Sequence, residues 1–196
     1  MKWASGCTLL LGAACGIRSG TPASRTVLSP EPGEGRLANI RQLTFGGNNA
    51  EAYFSGSGTR IIFQRQEQVD AGCDQQFVMN ADGSEMRRVS NGLGRTTCGY
   101  FYDDDRRILY SSTFAHDPAC PPRPDQRSGY VWPLGHLEIY TARADGTDLR
   151  PLTRNGAYNA EATVLPDGKT IIFTSTRDGD LELYTMAIDG SNVRRI

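Results

Sequence analysis

Three recurring features of the sequence predict an all-β chain: a β-propeller of four-stranded antiparallel blades, with about three blades present in an open or truncated arc. The first is an apolar run that returns as Ile61-Ile62-Phe63, Ile108-Leu109-Tyr110 and Ile171-Ile172-Phe173. Continuous apolar runs of this length suit strands covered on both faces by neighbouring sheets. The second is an Asp-Gly turn, at Asp82-Gly83, Asp145-Gly146 and Asp189-Gly190, followed each time by an arginine-bearing tail. Asp-Gly between strand-like runs is a strong hairpin signal. The third is an identity, Asn49-Ala50-Glu51-Ala52 against Asn159-Ala160-Glu161-Ala162, in the same place relative to the apolar run. A β-sandwich of short strands would also be all-β, but it does not require landmarks repeating at blade length.

The elements follow in order. Residues 1–17 read as an export leader, with Met1-Lys2 ahead of an apolar centre at Thr8-Leu9-Leu10-Leu11. Gly12-Ala13-Ala14-Cys15 resembles a bacterial lipoprotein cleavage site, which makes Cys15 the lipidation candidate and the only expected route to a membrane. Residues 18–36, rich in Ser, Pro and Gly, read as a flexible linker. Residues 37–196 form the partial propeller, and Leu37–Thr44 resembles the closing strand of a blade whose other strands are absent. The blades run over about 45–90, 91–153 and 154–196, the second with an insertion at 113–136. In the last blade, strands are predicted at Ala160–Val164, Thr170–Ser175, Leu181–Ala187 and Asn192–Ile196, with the first hairpin closed by Pro166-Asp167-Gly168. Closed propellers have about four to eight blades. The chain is therefore expected to be a truncated or incomplete gene product whose uncovered apolar flanks drive self-association.

These units resemble the repeats of TolB-like β-propellers, whose pattern is a Ser-Pro-Asp-Gly turn, an apolar strand, an Asp-Gly turn and a Leu-Thr ending. Leu43-Thr44, Leu152-Thr153 and Pro166-Asp167-Gly168 keep that pattern, while Ser55-Gly56-Ser57-Gly58 and Asp103-Asp104-Asp105 depart from it. The resemblance implies a periplasmic scaffold, non-catalytic, that binds a protein or peptide of the cell envelope. Two other readings stay open: the propeller part of a serine peptidase resembling the prolyl-oligopeptidase group, and a glycan-binding propeller.

Composition narrows the partners. The formal net charge is −1 and Lys2 and Lys169 are the only lysines, so nothing argues for nucleic acid, and no long apolar run argues for a membrane span. In a four-stranded meander the tight turns share one end. The long second-to-third-strand loops and the inter-blade connections share the other, the default binding face. There the candidate ligand-facing residues are Asn49, Glu51, Tyr158, Asn159, Glu161, His116, Trp132 and His136. Glu51 and Glu161 are expected at the start of innermost strands, bordering the central channel. They either face a ligand or accept backbone N–H bonds from the adjoining blade, and the ligand-facing role is preferred. In the glycan-binding reading, Tyr130, Trp132 and Tyr158 offer flat surfaces to a sugar. Cys73, Cys98 and Cys120 are expected on the same face, giving one disulfide and one spare thiol with the pairing open. A zinc site combining them with His116 or His136 lacks a Cys-x-x-Cys spacing, so no metal and no cofactor are expected. No Gly-x-Ser-x-Gly elbow is present, and no catalytic residue is assigned.

Overall fold

A computed structural model describes residues 27–69, 71–122 and 124–196. The leader, Cys15 and the first part of the linker lie outside the described residues. Fourteen strands are described: β1 Val27–Leu28, β2 Ile40–Arg41, β3 Asn48–Phe54, β4 Arg60–Gln66, β5 Gln75–Asn80, β6 Arg87–Arg88, β7 Thr96–Tyr102, β8 Arg107–Ser112, β9 Glu138–Arg143, β10 Arg150–Pro151, β11 Asn159–Val164, β12 Thr170–Ser175, β13 Glu182–Ala187 and β14 Arg194–Arg195. They form three antiparallel meanders, β3-β4-β5-β6, β7-β8-β9-β10 and β11-β12-β13-β14, and a small β1-β2 pair. The three meanders span residues 48–88, 96–151 and 159–195. The expected linker is in part ordered, because Val27 and Leu28 pair with Arg41 and Ile40.

Blades pack flank to flank, so the core lies between sheets. Ile62 and Val78 of the first blade meet Ile108, Tyr110 and Tyr140 of the second. Leu109 and Ile139, on the second blade's other face, meet Ala162, Ile171 and Phe173 of the third. The second strand of the middle blade is buried along nearly its whole length, which is why its sequence reads as an unbroken apolar run. The outermost flanks differ. Leu43 packs on Ile61, Phe63, Phe77 and Met79, partly covering the first blade. Tyr53, Phe54, Leu181 and Leu183 stay exposed.

Each innermost strand carries a register shift at the same place: between Ala50 and Tyr53, Thr97 and Tyr100, and Ala160 and Thr163. The residues at the shift, Glu51, Cys98 and Glu161, all have left-handed backbone with φ of 48°, 55° and 52°. A bulge of this kind re-aims the side chain it holds. Glu51 and Glu161 therefore sit at mid-strand bulges rather than at strand starts. Cys98 likewise stands at a mid-strand bulge, in a cavity it shares with Glu51 and Glu161.

Candidate functional site

The bulge row builds the channel lining. A Glu51 carboxylate oxygen accepts a hydrogen bond from the Cys98 backbone N–H at 3.1 Å and from the Thr97 hydroxyl at 3.4 Å. Glu51 thus joins the first blade to the second, the other of its two expected roles, while the residue stays exposed. The Cys98 sulfur lies 3.2 Å from the Thr97 hydroxyl and 4.0 Å from a Glu161 carboxylate oxygen. That same Glu161 oxygen accepts the Tyr158 hydroxyl at 2.5 Å, and the Trp132 indole N–H donates to the Tyr158 oxygen at 3.1 Å. Glu51, Cys98 and Glu161 share a cavity of about 190 Å³ with Tyr53 and Tyr100. Burial pushes the Cys98 thiol up to about 12; the Thr97 hydrogen bond opposes that rise, and the Glu51 and Glu161 carboxylates reinforce it. Cys98 is a protonated thiol at neutral pH, not a nucleophile. Burial, and then the Glu161 carboxylate, raise Tyr158 above the usual phenol range as well.

Two predicted residues are structural. Asn159 is fully buried, and its side-chain amide donates to the Leu137 carbonyl at 3.0 Å and to Asn155 at 2.7 Å. The Tyr158 ring is buried with Leu137 and Ala160, so it presents no flat face to a sugar. Asn49 holds the corresponding place on the uncovered flank, where it donates to the Gly46 carbonyl and accepts from Arg65.

The insertion supplies the rest of the site. A disulfide joins Cys73 to Cys120, tying the first blade's loop to the insertion and leaving Cys98 free. With both sulfurs bonded to each other, neither is available to zinc. His116 and His136, twenty residues apart in sequence, come together with ring centroids 3.9 Å apart. His136 Nδ1 contacts the Gly156 carbonyl, an acceptor, so Nδ1 carries the proton. The histidine pair stands between two cavities. One, of about 640 Å³, is lined by Phe114, Tyr140, Glu138 and Arg154 among others, with the Phe114 and Tyr140 rings stacked at 4.5 Å. The other, of about 290 Å³, is lined by Arg95, Trp132, Leu137 and three prolines.

Sequence reasoning missed Glu138, Arg95 and Asp105. The buried Glu138 carboxylate accepts the Thr153 hydroxyl, the Gly156 N–H at 2.7 Å and the Asn159 amide at 3.3 Å, fixing the connection into the third blade. The Asp105 carboxylate accepts the Gly56 and Ser57 N–H groups at 2.6 and 3.0 Å, so this turn clasps the neighbouring blade. Burial opposes ionisation of Asp105, but hydrogen bonds from Ser57, Ser55 and Gly56 outweigh it and hold its carboxyl below the usual range.

No protein-family model matches the chain. Over 56 residues it is 38% identical to the Tol-Pal system protein TolB of Bordetella pertussis, a stretch that makes up 28% of this chain and 13% of that protein. Its fold superposes on a TolB candidate from Agrobacterium tumefaciens with a TM-score of 0.60 at 20% identity, covering 79% of this chain and 51% of the other. It also superposes on a puromycin hydrolase with a TM-score of 0.56 at 20% identity, covering 81% of this chain and 25% of that one. The blades are TolB-like in sequence pattern and in fold, and the chain spans only part of the proteins it resembles.

Proposed function

We propose that this chain is a non-catalytic, exported propeller segment that binds a protein or peptide of the cell envelope through its loop face. The observation that carries the reading is the insertion. Pinned by Cys73–Cys120, it roofs two adjoining cavities on the face where every long loop converges. Similarity to a Tol-Pal system protein supports an envelope setting. In this reading the leader exports the chain to the periplasm, and Cys15 carries any lipid anchor. Labelling with a palmitate analogue, lost in Cys15→Ser, checks the anchor.

The binding reading is tested with a benzoyl-phenylalanine photocrosslinker placed at Leu134, exposed on the insertion, and separately at Asp104, exposed on the turn face. Adducts with envelope proteins are expected from position 134 and not from 104. Equal yields from both positions, or none from 134, overturn it. The exposed flank residues Phe54 and Leu183 support the accompanying proposal that the isolated chain self-associates. Size-exclusion chromatography over a concentration series tests this, and a concentration-independent monomer with a cooperative melt refutes it.

The puromycin hydrolase likeness favours a second reading, in which these blades belong to a hydrolase whose catalytic residues lie elsewhere in a longer protein. Sequencing the gene downstream of codon 196 separates the two. A Gly-x-Ser-x-Gly elbow there supports the hydrolase, and further blades alone support the scaffold.

A further inference from the structure

The smaller cavity under the insertion is lined by a cation, Arg95, that makes no ion pair among the described residues. Arg95 is half-buried, and its Nε is fully shielded from solvent with no hydrogen-bond partner. Asp117, on the same wall, uses its carboxylate to accept the Ala119 N–H. The rest of the wall is mainly apolar, with Trp132, Leu137, Pro121, Pro122 and Pro133, and its polar members are Thr113, His116 and His136. A guanidinium that makes no ion pair, beside a mainly apolar wall, favours an anion there, and a carboxylate matches its planar fork.

The slot is built in advance. Arg95 is held on both sides by Thr113, its N–H donating to the Thr113 hydroxyl at 2.9 Å and its carbonyl accepting the Thr113 N–H at 3.0 Å. The preceding Gly94 donates to the Pro118 carbonyl at 2.8 Å. A side chain at Gly94 would meet the Thr113 hydroxyl at 2.5 Å, so only glycine lets the inter-blade connection and the insertion approach this closely.

From this geometry we infer that the slot captures the C-terminus of a peptide with an apolar last residue, the carboxylate on Arg95 and the side chain among Trp132 and the prolines. Three observations choose the chain end over an internal acidic residue. The slot measures about 290 Å³, at the lower limit of drug-sized sites, and so suits one residue. Its walls are mainly apolar, which a terminal residue satisfies while offering its carboxylate alongside. One guanidinium lines the slot, matching the single terminal charge. Capture of a free carboxylate is a recurring mode of peptide recognition. The inference rests on the loop-face reading and names the ligand class for it.

The test uses the full chain and a pentapeptide ending in phenylalanine, with a free or an amidated C-terminus, followed by Trp132 fluorescence and calorimetry. The free acid is expected to bind, with amidation or Arg95→Gln weakening it roughly 10–100-fold, the range of a charge-assisted hydrogen-bond pair. Because the Arg95 Nε has no partner to lose, Arg95→Gln is expected to melt as the native chain does. Equal binding of acid and amide, or unchanged binding by Arg95→Gln, overturns the inference. So does a pentapeptide with an internal aspartate and an amidated end that binds as well as the free acid. If no peptide binds while adducts still form at position 134, the terminal-carboxylate inference fails and the loop-face reading survives. If the adducts are lost as well, both fail.

Discussion

The Cys98 thiol offers the most direct test of the channel lining. Its rise from 9.0 to about 12 corresponds to about a thousandfold less thiolate at neutral pH. The rarer thiolate is also the stronger nucleophile. With a Brønsted slope of roughly 0.4–0.5, that recovers about 1.2–1.5 of the three logarithmic units. Native Cys98 is therefore expected to alkylate roughly 30–60-fold more slowly than the same thiol in the unfolded chain, before any effect of restricted access. The assay is a pH–rate profile for iodoacetamide, quenched and read by mass spectrometry on the Cys98 peptide, with Cys73 and Cys120 protected as their disulfide. Burial is the largest cause of the shift, so Glu161→Gln and Glu51→Gln are each expected to lower the inflection without returning it to 9. A native inflection between 8 and 9 refutes the reasoning. Linkage adds a sign. A thiol pKa raised by folding leaves stability intact below about pH 9, and stability then falls as pH rises from 9 towards 12.

Two further predictions concern the joints between blades. Asp105→Asn keeps a residue that tolerates the left-handed φ of 64° but loses the charge that Gly56 and Ser57 donate to. Those donors are exposed and can rehydrate, so the cost in urea unfolding is expected near 1.5 kcal/mol, the lower end for charged hydrogen bonds. Because folding depresses the Asp105 pKa, the gap between native and variant is full above about pH 4 and closes as pH falls through the folded value; a gap that widens in acid refutes the clasp. Replacing Cys73 and Cys120 by serine opens a closure of 47 residues, worth about 4 kcal/mol by chain entropy, and is expected to speed hydrogen exchange across 113–136. Unchanged exchange there would mean that the insertion is held by its other contacts.

The repeats made most of the scaffold legible. Strand β12 occupies Thr170–Ser175 as predicted, and the other strands of that blade differ by only a few terminal residues. The apolar runs and Asp-Gly turns owe their chemistry to local geometry, and local geometry shows in sequence. The bulges were not legible. Glu, Cys and Glu at left-handed φ leave no glycine to mark the turn, so the Asn-Ala-Glu-Ala identity located the right residues and misplaced them along the strand. Asn159 and Tyr158 were misread for a related reason. Polar and aromatic residues beside a binding face look available until the buried Glu138 and the Trp132 indole are seen to consume them. Arg95 could not be found, because one arginine in a polar loop gives no sign that its neighbours will leave it unpaired.

The distribution of polar groups also supports the proposal that the loop face, rather than the row of bulges, takes a partner. Along the bulge row the hydrogen-bonding side chains answer one another: Trp132 to Tyr158, Tyr158 to Glu161, and Thr97 with the Cys98 backbone to Glu51. A ligand entering there would have to replace bonds that already join blade to blade, at about the cost of breaking them. Under the insertion the balance is reversed. Its backbone is secured by Thr113, Pro118 and the Cys73–Cys120 bridge, so stability does not depend on the guanidinium of Arg95. In the proposed reading, the slot presents a guanidinium without an ion pair on a rigid support, which favours selective binding of an anion. Trp132 belongs to both regions, with its ring on the slot and its N–H on the relay. Occupancy of the slot thereby bears on the side chain that anchors the channel row.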